Sequence, residues 1–347
     1  MSAPTAYGRP SRRRSAGFSL IELLIGVVIS MMGLAAVSVM MMNFSKKRTS
    51  ITETLSAQDN GVMALYRLER DMGQAGYGLM PLQGCATIGN GANPSFTPWP
   101  VQITDGGTGV SDTIAVKGAN PASGVPGTEL DTSSGTSMTS VQYNVRSSAG
   151  FAINDIVVST LACVMTSISS VAATNLGYTY ATVLATSSSA GYLAYFGQPG
   201  EFFNRQYGTA ASGLTVADYP AFTTNTLVDN IVFLKAQYGL ASTTSGSPAT
   251  VARWVSGATT LNGTTCLGNS VHPACVVAVR VGVVARSASA GPQTVDQPNP
   301  LPVLPQILNG ATEIGPAVTF SIPAGGATVR YRAYSTIIPL KNVIWGR

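Results

Sequence analysis

From Phe18 to Met42 the chain is apolar or small at every position except Glu22. Those 25 residues, at about 1.5 Å of helical rise each, cover about 37 Å, enough for a hydrocarbon core of about 30 Å. The pattern then turns amphipathic. Ile51, Leu55, Val62, Leu65, Leu68 and Met72 recur at intervals of three, four or seven, which predicts one buried face of a continuing helix. Arg67 and Asp71 stand four apart and are placed to pair along it. Gly73 and Gly76 are the expected terminators. A helix from Phe18 to about Met72 would measure about 80 Å, its first half in lipid and its second laid against an apolar surface.

Beyond residue 76 the period shortens. Asp112–Lys117, Asp155–Thr160, Gly191–Phe196, Asn230–Tyr238, Val276–Ala285 and Thr328–Pro339 are short runs rich in β-branched or aromatic residues and bounded by Gly, Pro, Asn or Ser, the signature of strands. Two of them alternate as half-buried strands do, with one face to solvent. In Val279-Arg280-Val281-Gly282-Val283 the valines share one face, and in Val329-Arg330-Tyr331-Arg332-Ala333 both arginines take the other. Segments 118–138, 240–250 and 287–300 read as irregular loops. A head of this size can bury a full core, as one elaborated β domain or as two β lobes.

Charge adds direction to the apolar span. Arg9, Arg12, Arg13 and Arg14 precede it with no acid among them, which assigns that side to the cytoplasm; Lys46, Lys47 and Arg48 follow it and argue the other way. A cleaved secretory signal has an apolar region of about 7–15 residues, too short to match. Ser11-Arg12-Arg13 lacks the apolar residue that should follow a twin-arginine pair. Neither reading, nor a plain signal anchor, explains an acid in the first turn of a membrane helix, where ionisable groups are rare and functional.

Gly17-Phe18-Ser19-Leu20-Ile21-Glu22-Leu23-Leu24 resembles the processing site of type IV prepilins. The resemblance implies cleavage between Gly17 and Phe18 by a membrane-embedded prepilin peptidase, N-methylation of Phe18, and an assembly role for Glu22 at the fifth mature position. A free amine at Phe18 is cationic near neutral pH. The Glu22 carboxylate of a neighbouring subunit would neutralise it in lipid, whereas either charge left alone costs about 3–5 kcal/mol. Major pilins usually carry a proline near the middle of the span; the region around Val39 has none, which suits a subunit other than the major one.

The segment Leu68-Glu69-Arg70-Asp71-Met72-Gly73-Gln74-Ala75-Gly76-Tyr77-Gly78, followed by Gly84-Cys85, resembles the end of the helix in the PilW group of minor pilins, and Leu227–Val232, Gln237–Gly239, Val277–Ser287 and Tyr331–Asn342 resemble its later strands. This implies an α+β, type IV pilin-like fold: leader 1–17, transmembrane half-helix 18–42, periplasmic half-helix 43–76, and an antiparallel β-rich head over 77–347. It further implies a minor pilin that primes type IV pilus assembly within a tip-located minor-pilin complex. Its partners would be the peptidase-methylase, other minor pilins, the major pilin and the inner-membrane assembly platform. It would sit in the inner membrane with a periplasmic head, then in an extracellular pilus of a Gram-negative envelope. The alternatives are a J-type pseudopilin of a type II secretion system, and a membrane-anchored adhesin or secreted enzyme unrelated to pili.

Composition narrows the chemistry. The net charge is +5, but four of those charges are the leader arginines, leaving +1 for the rest; nucleic-acid binding by the head has little electrostatic support. Cys85, Cys163, Cys266 and Cys275 are an even set beyond an export signal, which suggests disulfides. Three pairings are possible, of which Cys85–Cys163 with Cys266–Cys275 is preferred over the others and over four free thiols. No catalytic residue, cofactor or metal site is expected. The lone His272 next to Pro273 is poorly placed as a general base and cannot complete a zinc set. Gly106-Gly107-Thr108-Gly109 lacks the Lys-Ser/Thr and helix of a phosphate loop and reads as a turn. Tyr192, Tyr195, Phe196, Phe202 and Phe203 read as core rather than as a binding surface.

Overall fold

The computed structural model describes residues 17, 19–90, 93–119, 122, 124–125, 127–180, 184–218, 223–244, 250–288, 290 and 294–346. They divide into two units, Met1–Thr52 and Glu53–Arg347. Helix α1 (Leu20–Gln74) runs for 55 residues. Through Thr49 every one of its residues is exposed.

In the second unit α1 buries Glu53, Ala57, Gly61, Ala64, Leu68 and Met72, a stripe spaced by four and three. This corrects the face expected from the large apolar residues: Ile51, Leu55 and Val62 are 61%, 52% and 54% exposed. The reason is distance. A Cβ on Gly61 would lie 2.2 Å from the ring of Tyr334, so the head approaches along small residues and the bulky ones stay outside. Leu65 packs at the margin of the core, and Leu68 and Met72 lie within it.

The helix ends at Gly76, whose φ of +88° suits a residue without a Cβ; Gly73 is still helical. Gly76 N donates to Lys117 O at 2.9 Å, and Asn342 Nδ2 donates to Gln74 O and Ala75 O at 3.2 and 3.1 Å. These contacts satisfy the bare end of the helix. Asp71 is not Arg67's partner. It accepts from Arg205 Nη1 at 2.8 Å and from the Tyr207 hydroxyl, because its side of the helix faces a sheet and Arg67's position does not.

The strands of the head begin with β1 (Ile88–Asn90), β2 (Asn93–Phe96), β3 (Val101–Thr104), β4 (Thr113–Ala119), β5 (Gly127–Glu129), β6 (Gln142–Asn144) and β7 (Ile156–Ser159). They continue with β8 (Met165–Val171), β9 (Asn175–Thr179), β10 (Tyr192–Gly197), β11 (Phe202–Ala210), β12 (Gly213–Asp218), β13 (Thr223–Asp229) and β14 (Ile231–Leu240). The last are β15 (Arg253–Ser256), β16 (Val276–Arg286), β17 (Leu301–Leu304), β18 (Ile307–Asn309), β19 (Thr312–Gly315), β20 (Val318–Phe320) and β21 (Tyr331–Pro339), before a short helix α2 (Lys341–Trp345). Three antiparallel sheets carry the fold, in the orders β5-β10-β7-β8-β9-β6, β13-β12-β11-β4-β3 and β15-β14-β16-β21. The largest core lies between α1 and the second and third sheets, with Ala64, Leu68, Ile114, Tyr207, Leu234 and Val281 among its members. A separate core, including Tyr143, Val157 and Leu193, serves the first sheet. The head is thus one unit with several cores.

Segment 118–138, expected as loop, contributes β5 to the first sheet. Of the other two expected loops, residues 245–249, 289 and 291–293 lie outside the described residues. The alternation expected in β16 fails as well: both faces are buried, and Arg280 is 2% exposed. The chain from β17 to β20 covers the second face. Arg280 donates to Pro305 O and Pro316 O at 2.8 and 2.6 Å and to Gln237 Oε1, with Trp254 5.4 Å away. Burial lowers its guanidinium to about 10. At the other expected alternation the strand opens only at Tyr331, with Arg332 exposed and Arg330 ahead of it.

Lys117 is a second buried cation, 3% exposed on β4 of the second sheet. Its ammonium donates to Thr97 Oγ1 at 3.0 Å and Gln102 Oε1 at 3.2 Å and forms no ion pair among the described residues. Desolvation lowers its pKa from 10.5 to about 8. The folded chain therefore disfavours the proton at pH below about 8, and the penalty fades as pH rises towards 10.5 and the unfolded chain loses its proton too. That interval corresponds to about 3 kcal/mol. Lys117→Met is expected to be more stable than the parent at pH 7, with the gain shrinking between pH 8 and 10; denaturant titration across that range measures it, and a pH-independent difference would refute the assignment.

Candidate functional site: the processing junction and the first turn of the helix

Gly17 is exposed, and a Cβ built on it meets nothing within 4 Å. The chain's own fold places no steric demand for glycine at this position, so any such demand comes from outside the chain. Phe18 and the leader residues 1–16, including the four arginines, lie outside the described residues.

Helix α1 starts where Ser19 O accepts from Glu22 N at 3.0 Å and Leu23 N at 3.1 Å. Glu22 stands in this first turn, where the free N–H groups favour an anion. It is exposed and forms no ion pair among the described residues. Among the described residues, the acid at the head of this apolar helix has no charge partner.

Among the described residues nothing buries this stretch: its most apolar 18 residues have mean hydropathy 2.5 and none of them is buried. Its polar side chains look after themselves. Ser30 Oγ donates to Gly26 O at 2.7 Å and Ser38 Oγ to Leu34 O at 2.8 Å, which removes two hydroxyls from the cost of entering lipid. The helix continues through Val39 without a break.

The cysteines pair as Cys85–Cys163 and Cys266–Cys275. His272 sits inside the second loop, its Nδ1 accepting from Ala274 N at 3.1 Å, so its imidazole is committed to a turn. Gly107 and Gly109 adopt φ of +88° and +76°, and Asp105 Oδ1 accepts from Gly107 N at 2.8 Å; the glycine-rich stretch is a turn. The aromatic run is packed, with Tyr195 and Phe196 buried and Phe196 stacked on Phe202 at 4.9 Å.

One cluster escaped sequence reasoning. Lys235 Nζ reaches Asp105 at 2.9 Å and Asp112 at 2.5 Å, joining β14 to the β3–β4 connection. Hydrogen bonding from Lys235 is the main reason Asp105 lies below the usual carboxylate range. The residues are too far apart in sequence for any local signal to have marked them. The cluster sets one ammonium between two carboxylates and cross-links two sheets.

Comparison with known proteins bears on the same end of the chain. The prokaryotic N-terminal methylation motif matches residues 12–38, spanning the last leader arginines, the Gly17–Phe18 junction, Glu22 and most of the apolar span. The head lies beyond the match. No curated protein and no solved structure matches the chain. The chain carries a type IV pilin-like prepilin signal on a long apolar helix followed by an antiparallel β-rich domain, a plan common to pilin-like and pseudopilin proteins.

Proposed function

We propose that this protein is a minor pilin of the PilW type, acting in a complex of minor pilins that initiates a type IV pilus and remains near its tip. It is matured between Gly17 and Phe18, waits in the inner membrane, and has no catalytic activity of its own. The observation that carries the reading is Glu22: an exposed acid without an ion-pair partner among the described residues, in register with a prepilin junction and at the head of an exposed apolar helix. In a filament the Phe18 amine of an adjacent subunit neutralises it, fixing the axial register of the two helices.

The residues resembling the PilW group have physical work at the end of α1. Asp71 ties the helix to Arg205 and Tyr207, Gly76 turns the chain, the Tyr77 hydroxyl donates to Gly124 O at 2.8 Å, and Cys85 is bridged to Cys163. A head of this size also suits a subunit at the end of a filament, where a wide domain does not obstruct close packing along a shaft.

A J-type pseudopilin would share the signal and Glu22, and loss of function separates the two. Deletion of the gene is expected to reduce surface pili severely while leaving type II secretion intact; loss of secretion with normal piliation would instead establish the pseudopilin reading. Within the protein, Glu22→Ala is expected to mature normally yet enter filaments at least about a hundredfold less, given about 3–5 kcal/mol for an uncompensated buried charge. Quantitative immunoblotting of sheared filaments measures this, and normal incorporation would exclude the register role.

A further inference from the structure

Lys46, Lys47 and Arg48 occupy three successive positions of α1, all exposed and none in an ion pair among the described residues. At 3.6 residues per turn they spread over more than half of the helix circumference, so a single neighbouring helix cannot cover all three. From Leu20 to Lys46 the helix rises about 39 Å, and a bilayer with its headgroup layers is about 40–45 Å thick. With the Leu20 end at one surface, the triplet therefore falls in the opposite headgroup layer. Long stems let ammonium and guanidinium groups keep contact with that layer while the helix shifts, and the planar guanidinium of Arg48 matches phosphate oxygens.

The opposite end has its own basic cluster, Arg9, Arg12, Arg13 and Arg14. In the uncut chain, cations flank both ends of the span. Cleavage after Gly17 removes all four arginines and leaves the new amine with Glu22 nearby, two charges of opposite sign. The triplet is then the basic cluster that remains beside the span.

We propose that Lys46, Lys47 and Arg48 bind phospholipid phosphates in the headgroup layer on the head's side of the membrane. Removal of the leader transfers the helix's electrostatic hold on the bilayer to them. The inference rests on the processing reading above and deepens it: maturation reverses the charge bias of the span, so the mature subunit is held at the leaflet through which it must leave.

The test measures helix depth. Protein with its amino terminus verified by mass spectrometry is placed in vesicles of phosphatidylcholine and phosphatidylglycerol, carrying Phe44→Trp as a depth reporter. Phe44 is exposed beside the triplet, and the signal is the difference from protein lacking that substitution. Quenching by lipids brominated at successive acyl positions is expected to be strongest at the shallowest bromine. In the triple variant K46Q/K47Q/R48Q the maximum is expected to move to a deeper bromine, by more in the mature form than in a Gly17→Val form that keeps its leader. Unchanged depth in the mature triple variant would overturn phosphate binding, and an equal shift with and without the leader would overturn the transfer. If protein with native Gly17 still carries its leader, the processing reading and the transfer both fail, while quenching on that material still decides phosphate binding.

Discussion

Between Leu20 and Phe44 helix α1 exposes apolar side chains on all sides, and among the described residues nothing covers them. Hydrocarbon or other helices must do so. This constraint makes the carboxylate of Glu22 informative, because an anion at the head of such a rod is costly in lipid unless a cation meets it. It also explains why serines in the span donate to their own backbone. Lipid before assembly and helices after it are two ways of meeting the same requirement.

The second unit solves a different problem, which is to seat a long helix on a β-rich body. Close approach is achieved by removing bulk: Ala57, Gly61 and Ala64 line the contact, and Gly61 admits Tyr334. The far end of the helix is then closed by Gly76, Asn342 and the Asp71–Arg205–Tyr207 group. The Cys85–Cys163 disulfide and the Lys235 cluster tie together segments distant in sequence, and Cys266–Cys275 closes a loop. Burial of Arg280 and Lys117 on neutral acceptors shows that the head accepts local electrostatic cost in exchange for covered sheet faces.

Much of this was legible from residues alone. The apolar span needs only length and hydropathy, and Glu22 stands out because its surroundings lack charge. Strands β4, β7, β10, β14, β16 and β21 followed from β-branched and aromatic runs between turn residues. What was missed depends on long-range approach. The buried face of α1 was misread because periodicity weights large apolar residues, whereas contact here selects small ones. Arg280 read as solvent-facing because its cover, residues 301–320, follows much later in the chain. Nothing in the sequence around Asp105, Asp112 or Lys235 signals their meeting, and the arrangement of the three main sheets follows from strand order that local patterns do not encode.

The account stands most directly on the chemical identity of the first residue of the protein in cells. Mass spectrometry of the amino terminus, on protein recovered from membranes and from sheared filaments, reads it without assumption about the head. The account predicts a chain beginning at Phe18 and heavier by the mass of CH2, one amine hydrogen having been replaced by methyl. A fully functional protein that still begins with its arginine-bearing leader would contradict it.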